Sequence, residues 1–474
     1  MLRNISLLAF FLYTFSLNAQ KIELLYFTDA HQIFPVDDVD GGRGGLARLK
    51  TVADEMRAAN ADALVIHGGD LCGGVLFGGI YKGEPMIEGF NEVPVDICNF
   101  GQHEFDFGAT HTLELLTQSK SQWLSSNLKN RDGDVFANLP PFLLRKVDGL
   151  TIGFIGLTDA MNTSRKDELV VQEDLFVSVS ELLPLMGKVD FLLAITQTDL
   201  GTNRKLLDQF PEIDLILTEE QFEHESNIFY KGSVPIVATA GNMSSVAKIS
   251  WTKGGNPQIE IIPLDQRIAS EKYMRDMEVY YQKDMNLQLS EVLGHLKSPL
   301  RFRNGIIRES AAGNLISDAF KECYDSNVGM INGGGIRADV PVGAFTMKSA
   351  RSLLPFGNKI CKILIKGEEL KRVLLEHASD KNGQFFQVSG ISYEYRSREN
   401  TVKVMRNGKE VEDEDLLSVS LNSYCMEKLN ADFEILIDES DVRAKNDFVV
   451  LAEYSKRKKL LNPKVEGRIL IVSE

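Results

Sequence analysis

Residues 22–31 read IELLYFTDAH, an apolar run that ends in a polar Asp-x-His pair. Apolar runs of this length, rich in β-branched and aromatic residues, predict buried strands. More runs of this kind recur through the first half of the chain, at residues 63–66, 95–100, 152–157, 191–196 and 215–218. Helix-like stretches at residues 45–59 and 109–120 lie between some of them. This alternation predicts an α/β fold with helices around a mostly parallel sheet.

The composition predicts two globular domains and argues against nucleic acid as a partner. The chain has 474 residues, 43% of them hydrophobic, and a single core rarely supports so long a chain. Its 67 acidic residues outnumber its 52 basic ones, so the formal net charge is -15. A surface of that sign repels phosphate backbones and anionic membranes. A small phosphorylated substrate stays compatible, because a bound metal ion dominates the local field.

Residues 1–19 have the pattern of a cleavable signal peptide, with Arg3 followed by an apolar run and Ala19 at the end. A membrane anchor is the alternative, but the run is short for a span of about 20 residues, and no later segment is apolar enough to cross a bilayer. We therefore expect export to the periplasm or the extracellular space. The five cysteines lack any C-x-x-C spacing and predict neither a disulfide framework nor a zinc ribbon.

A helix is expected to connect the two domains. Residues 270–294 place aromatic and methionine side chains at helical spacing among charges, and Gly294 is expected to end this helix. A glycine-rich turn at residues 332–335 and apolar runs near residues 360–365 and 417–421 belong to the second domain. The predicted divisions are a signal peptide at 1–19, a first domain at 20–267, a connecting segment at 268–297 and a second domain at 298–474.

Polar residues stand just past the carboxyl ends of the first three apolar runs. They are Asp29 and His31, Asp70, and Gln102 and His103. In open α/β sheets this edge is where ligands bind. One aspartate or histidine at a strand end is more often a turn former or a helix cap. Three such placements on successive strands predict a shared site.

The segments FTDAH, HGGDLCGG and FGQHEFDFG resemble the D-x-H, G-D and G-N-H-E blocks of the calcineurin-like metallophosphoesterases. In the second half, AAGNLISDA, INGGGIRADVP, LLPFGNK and FFQVSGISY are similar to the substrate-binding domain of 5′-nucleotidases. The resemblance covers nearly all of the chain after the signal peptide. It implies an N-terminal layered sandwich, with helices around β-sheets, and a smaller α/β C-terminal domain that binds substrate.

The resemblance also implies a metal site. Family members hold two divalent ions bridged by an aspartate, and the ions activate a water that attacks phosphorus. By position Asp70 is the bridge and Asp29 and His31 complete part of the first metal shell. His103 corresponds to the histidine that stabilises the transition state or protonates the leaving oxygen.

Several metal positions depart from the family pattern. Gln102 replaces an asparagine and Gln197 replaces a histidine, although both keep an amide oxygen. Where the family has G-G-H-x-H, this chain reads LILTEEQFEHE. One register places Glu220 at the first histidine, and the other places His224 at the second and keeps one complete metal shell. A donor set richer in oxygen shifts the preference from zinc toward manganese, magnesium or calcium.

The second domain carries the expected substrate contacts. Glycines of the NGGGIR segment let the backbone approach a ligand, and Arg337 offers a planar fork for phosphate or carboxylate. By resemblance, Phe356 and Tyr424 enclose a base, although residues 428–431 replace the family's glycine-rich loop. The residues expected to bind substrate are Asn332, Gly334, Gly335, Arg337, Phe356 and Tyr424.

Two functions follow from these expectations. The first is an exported metal-dependent phosphoester hydrolase of the 5′-nucleotidase type, releasing phosphate from nucleotides or related phosphometabolites. The alternative is a member that binds a nucleotide-like ligand without turnover, as the changes at Gln102 and Gln197 suggest. The sequence contains no G-x-S-x-G, P-loop or H-E-x-x-H segment, so it offers no support for a serine hydrolase, a P-loop NTPase or a zincin.

Overall fold

The computed structural model describes residues 20–36, 42–159, 169–222, 224–301, 308–379, 385–437 and 445–472. The predicted signal peptide at residues 1–19 lies outside the described residues. Within these ranges, every helix is too short or too polar to cross a membrane.

The first part of the chain alternates strands and helices. Its elements are β1 (Lys21–Phe27), α1 (Leu46–Ala59), β2 (Leu64–His67), α2 (Leu76–Tyr81), α3 (Glu84–Glu92), β3 (Ile97–Cys98), α4 (Ala109–Gln118), β4 (Gln122–Trp123), β5 (Leu128–Lys129), β6 (Phe142–Val147), β7 (Leu150–Thr158), β8 (Val171–Gln172), α5 (Leu175–Met186), β9 (Phe191–Gln197), α6 (Leu200–Gln209), β10 (Leu215–Thr218), β11 (Asn227–Lys231), β12 (Val234–Ala238), β13 (Ser245–Thr252), β14 (Gln258–Pro263) and α7 (Lys272–Leu289).

Twelve of these fourteen strands form two six-stranded sheets, where the apolar runs predict one, and β5 and β8 pair with each other. The first has the order β14-β13-β1-β2-β3-β4, and the second has the order β11-β12-β10-β9-β7-β6. Strands β1 to β4 are parallel neighbours in the first sheet, as are β7, β9, β10 and β12 in the second. A parallel strand buried on both faces reads as a continuous apolar run in either sheet. The runs therefore predicted strands without showing which sheet each joins.

The two sheets pack face to face, and helices cover their outer faces. Leu24 of β1 shares one buried cluster with Leu193 of β9 and Leu217 of β10, in the opposite sheet. Leu25 and Phe27 point the other way, into a second cluster beneath helices α1, α3 and α7. Full burial of one such side chain contributes about 1.5–3 kcal/mol. The layered sandwich with helices around β-sheets is confirmed.

The connecting helix ends earlier than predicted. Helix α7 ends at Leu289, and the next element is a strand at residues 292–296. Gly294 lies inside that strand and does not end the helix. A Cβ at this position would lie 2.9 Å from the carbonyl oxygen of Lys459, so the close backbone approach calls for glycine.

Helix α7 packs on the first domain. Met274 and Met285 lie in the cluster that contains Phe27 and the buried side of α1. The buried Glu278 carboxylate accepts the backbone N–H of Ala47 at 2.8 Å, in the first turn of α1. The carboxylate thus satisfies one of the N–H groups that a helix start leaves without a partner in the helix.

The remainder of the chain forms a smaller α/β unit. Its elements are β15 (Val292–Leu296), α8 (Ala311–Cys323), β16 (Val328–Asn332), β17 (Gly343–Thr346), α9 (Met347–Leu353), β18 (Ile360–Lys366), α10 (Gly367–His377), β19 (Phe386–Ser389), β20 (Ser392–Arg396), β21 (Thr401–Arg406), β22 (Lys409–Glu410), β23 (Leu416–Asn422), α11 (Ser423–Asp432), β24 (Ile435–Ile437), α12 (Asp447–Lys458), β25 (Leu460–Leu461) and β26 (Ile469–Val472).

The central sheet of this unit positions its candidate binding residues. Its strand order is β19-β16-β23-β18-β24, and β16 and β23 are parallel neighbours. Their carboxyl ends therefore meet at one edge. Asn332 closes β16, and Tyr424 follows β23 in the first turn of α11.

Candidate active site

Two aspartates occupy the carboxyl ends of neighbouring parallel strands. Asp29 follows β1 and Asp70 follows β2, and both have left-handed backbone, with φ of 52° and 61°. The backbone N–H of Asp29 donates to the carbonyl of Gly69 at 3.0 Å, which joins the two turns. Aspartate tolerates this conformation better than most residues with a Cβ. The turns hold both carboxylates at the same edge of the sheet.

Three side chains converge at this edge in a geometry that suits a divalent cation. Ligand atoms of His31, Asp70 and His103 all lie within 4.8 Å of one another. The Nδ1 atom of His31 donates to the carbonyl of Cys72 at 2.9 Å. A histidine ligand commonly donates its other ring N–H to a carbonyl or carboxylate, which orients the ring. The free Nε2 of His31 and a carboxylate of Asp70 fit a metal ion.

Glycines allow the backbone to pass close to these side chains. A Cβ on Gly74, where φ is 65°, would lie 2.6 Å from the ring of His31. A Cβ on Gly101 would collide with Oδ1 of Asp70. Any larger residue at either position would push a ligand side chain aside. The glycines of HGGDLCGG and FGQ therefore shape the site.

His103 forms an ion pair with Asp106, a residue that the sequence analysis did not single out. Nδ1 of His103 lies 2.7 Å from Oδ2 of Asp106, and the backbone N–H of His103 donates to Oδ1 of Asp70 at 2.8 Å. Burial lowers the pKa of His103, but the carboxylates of Asp106 and Asp70 outweigh it and raise the pKa to about 10. The ring is therefore an imidazolium at neutral pH.

Glu104 ties the turns of the site together and was also missed. Its buried carboxylate accepts three backbone N–H groups: from Asp70 at 3.1 Å, Leu71 at 2.6 Å and Gly101 at 2.6 Å. These donors belong to the turns after β2 and β3. Glu104 thus fixes the position of Asp70 through the backbone.

We expect Glu104→Gln to lower the melting temperature of the N-terminal domain by about 5–10 °C. The amide NH₂ of glutamine would face one of the three backbone N–H donors and leave it without an acceptor. Differential scanning calorimetry measures the shift. Glu212→Gln on the exposed surface is the matched control and should change the melting temperature little. Equal stability of both variants would contradict the role given to Glu104.

The NGGGIR segment lies at the carboxyl end of β16. The buried Asn332 accepts a hydrogen bond from the Sγ of Cys425 at 3.2 Å. A Cβ on Gly335 would lie 2.9 Å from the Oδ1 of Asn332, whereas Gly334 is half-buried. The guanidinium carbon of Arg337 lies 5.6 Å from the ring centroid of Phe356. That ring is 39% exposed, so it retains surface for a ligand.

Tyr424 lies on a helix that also contains residues 428–431, which replace the family's glycine-rich loop. Helix α11 covers residues 423–432, and the side chain of Asn422 caps it by accepting the N–H of Cys425 at 2.8 Å. Three of the four residues that replace the family's loop, Lys428, Leu429 and Ala431, are good helix formers, and the Asn422 cap starts the helix immediately after β23. The ammonium group of Lys428 lies 5.8 Å from the ring centroid of Tyr424. The Tyr424 ring therefore has a cation nearby.

The two halves of the site touch. A Cβ on Gly79, in helix α2, would lie 2.9 Å from the carbonyl oxygen of Pro355. Helix α2 begins two residues after Gly74, and Pro355 precedes Phe356. The candidate substrate turn thus lies against the helix that follows the metal-site turn.

Comparison with known proteins gives the family. A family model for the calcineurin-like phosphoesterase matches residues 22–218, and a model for the 5′-nucleotidase C-terminal domain matches residues 292–436. The chain belongs to the 5′-nucleotidase family. The two matches lie on the two-sheet sandwich and on the smaller α/β unit, so each carries one half of the site.

Relatives of this family span almost the whole chain. A 5′-nucleotidase of Diplobatis ommata is 24% identical and covers 95% of this chain and 90% of its own length. A 5′-nucleotidase of Homo sapiens is also 24% identical, with coverage of 95% and 91%. The crystal structure of a 5′-nucleotidase precursor from Thermus thermophilus is 22% identical, with a TM-score of 0.75 over 96% of this chain and 100% of the other. The likeness to that structure supports the fold.

The Asp29 carboxylate and Gln197 share one hydrogen-bonded group. Oδ2 of Asp29 accepts the hydroxyl of Thr28 at 2.7 Å and the backbone N–H of Glu220 at 3.0 Å. Nε2 of Gln197 donates to the same threonine hydroxyl at 3.0 Å. Burial raises the pKa of Asp29, and these donors act against it. Their positions beside Asp70 are compatible with the metal roles that this family implies, which stay predictions.

Other positions that the resemblance assigns to metal ligands depart further from the family pattern. His224 is exposed and does not belong to the three-residue group found among the described residues, and Arg43 donates to its carbonyl at 3.3 Å. Gln102 is half-buried beside His103. The metal roles of Gln102, Glu220 and His224 stay predictions. Glu219, which the sequence analysis missed, is half-buried, and burial together with Asp29 and other nearby carboxylates raises its pKa to about 8.

Proposed function

We propose that the chain is an exported, metal-dependent phosphoester hydrolase of the 5′-nucleotidase type that acts on nucleotides or related phosphometabolites. The observation that carries the proposal is the His103–Asp106 ion pair beside His31 and Asp70. A proton donor next to a cation site suits phosphoester cleavage, because the cation stabilises negative charge and the donor protonates the leaving oxygen. The relatives named as 5′-nucleotidases support the substrate class.

In this proposal the first domain would carry the metal and proton chemistry, and the second domain would bind the nucleotide. Asp70 and its neighbours would hold divalent ions, which would supply Lewis acidity and an activated water. His103, held by Asp106, carries a proton at Nε2 for the leaving oxygen. Asp70 orients His103 through the backbone N–H at 2.8 Å. On the other domain, Phe356 offers a stacking surface and Arg337 a fork for an anionic group.

Manganese, magnesium, zinc and calcium are the candidate ions. With His103 as the proton donor, the metal donors brought together are the imidazole of His31, which suits zinc or manganese, and the carboxylate of Asp70, which suits all four ions. The apolar segment that ends at Ala19 supports export.

The alternative of ligand binding without turnover is supported by one observation. The exposed His224, which the resemblance places at a metal ligand position, is not among the described side chains whose ligand atoms lie within 4.8 Å of one another, namely His31, Asp70 and His103.

Phosphate release from AMP by the purified mature chain tests the proposal, with each of the four ions added singly to chelator-treated protein. We expect release with at least one ion, its loss on addition of chelator, and recovery when the ion is restored. A folded protein that AMP stabilises against heat, yet that releases no phosphate with any ion, would support the binding function instead.

A further inference from the structure

A half-buried arginine in the second domain has no counter-ion in the described ranges. Arg351 lies in the last turn of α9, and its guanidinium carbon lies 4.1 Å from the ring centroid of Phe448. Among the residues that the structure describes, none forms a hydrogen bond or an ion pair with the guanidinium group of Arg351. Burial lowers its pKa. A guanidinium in such surroundings attracts an anion, because partial burial weakens its hydration.

Arg351 lies close to the candidate substrate turn. The backbone N–H of Arg337 donates at 3.0 Å to the carbonyl of Leu353, two residues after Arg351. The ring of Phe448 approaches the other side of the turn, since a Cβ on Gly357 would lie 3.6 Å from its Cε1. Two guanidinium–aromatic pairs, Arg337 with Phe356 and Arg351 with Phe448, thus flank residues 356–357.

The segments around this turn carry four basic side chains beside the acidic Glu427 and Asp447, in a chain of net charge -15. Besides the two arginines, there are two lysines. The Nζ of Lys359 donates a hydrogen bond to the Oδ1 of Asn446 at 2.6 Å, and the Nζ of Lys428 lies 5.8 Å from the ring centroid of Tyr424. Positive charge concentrated at one place on an acidic protein favours an anionic ligand there. The planar fork of arginine matches the paired oxygens of a phosphoryl group or a carboxylate.

We propose that Arg351 binds a second oxyanion of the substrate, distinct from the phosphoryl group that is hydrolysed. The preferred ligand is therefore a nucleotide with two acidic groups: either a further phosphoryl group on the ribose side or a carboxylate on the base. This inference rests on the proposed function in taking the ligand to be a nucleotide.

Equilibrium binding without hydrolysis tests this inference. Isothermal titration calorimetry in the presence of chelator would compare UMP, which has one phosphoryl group, with UDP and with orotidine 5′-monophosphate, which adds a carboxylate. The wild-type chain should bind UDP or orotidine 5′-monophosphate about 10- to 100-fold more tightly than UMP. Arg351→Gln should remove that preference and leave UMP affinity unchanged. Arg351→Lys, which keeps the charge and loses the fork, should retain part of it.

Two results would overturn the inference. One is a wild-type chain that binds the three ligands equally. The other is an Arg351→Gln variant that melts at lower temperature with the ligand preference intact, as expected if Arg351 serves only to pack on Phe448. Phosphate release from AMP in the same preparation distinguishes the two proposals. A protein that hydrolyses AMP but does not prefer UDP or orotidine 5′-monophosphate over UMP would contradict only this inference. A protein that shows the preference but does not hydrolyse AMP would contradict only the proposed hydrolase function.

Discussion

Replacing Asp70 with asparagine should reduce AMP hydrolysis by about 1,000-fold. Asp70 is the only carboxylate in the group formed by His31, Asp70 and His103 among the described residues. Asparagine keeps the shape of the side chain and tolerates the left-handed backbone at φ 61°. It can also still accept the backbone N–H of His103. The variant therefore removes the negative charge while leaving the turn in place.

Steady-state kinetics with the activating ion, together with a thermal melt, measure this effect. Asp208→Asn is the matched control, because the Asp208 side chain is 61% exposed on the same domain and pairs with Lys231. The control should keep wild-type activity. An Asp70→Asn variant that is folded and hydrolyses AMP within about threefold of the wild type would show that phosphate release does not depend on this carboxylate.

The second large effect is expected at His103, where glutamine should lower kcat by about 100- to 10,000-fold. The imidazolium is the proton donor nearest to Asp70 in the proposed mechanism, and glutamine cannot supply a proton to a leaving oxygen. His111→Gln is the matched control, since His111 lies outside the group and contacts the carbonyl of Lys82. Equal loss of kcat in both variants would argue against a specific role for His103.

Asp106, the ion-pair partner of His103, leads to a related prediction for the pH dependence of activity. A general acid acts in its protonated form, so activity is present below its pKa and is lost as the pH rises through that value. Asp106 is the first of the groups that raise the pKa of His103. Asp106→Asn should therefore move the alkaline limb of kcat/KM to lower pH, by about one unit or more. If the alkaline fall of kcat/KM stays at the same pH in this variant, a group other than His103 causes it.

Much of the site could be predicted from the sequence, because its ligands follow the strands directly. Asp29 and Asp70 follow apolar runs that are almost entirely buried, and the ends of neighbouring parallel strands must meet. The length of each run was less certain. The run at residues 95–100 forms only a two-residue strand, β3, because its other residues belong to the turns on either side.

Residues that act through the backbone were not predictable. Glu104 works through three N–H groups from two separate turns, and no sequence pattern reports which carboxylate will accept them. Asp106 was within reach, since a histidine and an aspartate three residues apart on one helical turn face each other. The pairing of the strands into two sheets depends on tertiary packing that apolar runs do not encode.

The left-handed backbone at Asp29 and Asp70 also sets what a replacement at either turn would cost. Such a conformation costs about 1–2 kcal/mol for a residue with a Cβ, somewhat less for aspartate, and almost nothing for glycine. Glycine would relieve that strain, but the backbone N–H of His103 would lose Asp70 as its acceptor and that of Glu220 would lose Asp29. A buried donor left without an acceptor costs about 1–3 kcal/mol, so the hydrogen bonds of the two carboxylates offset the strain of the turns that hold them.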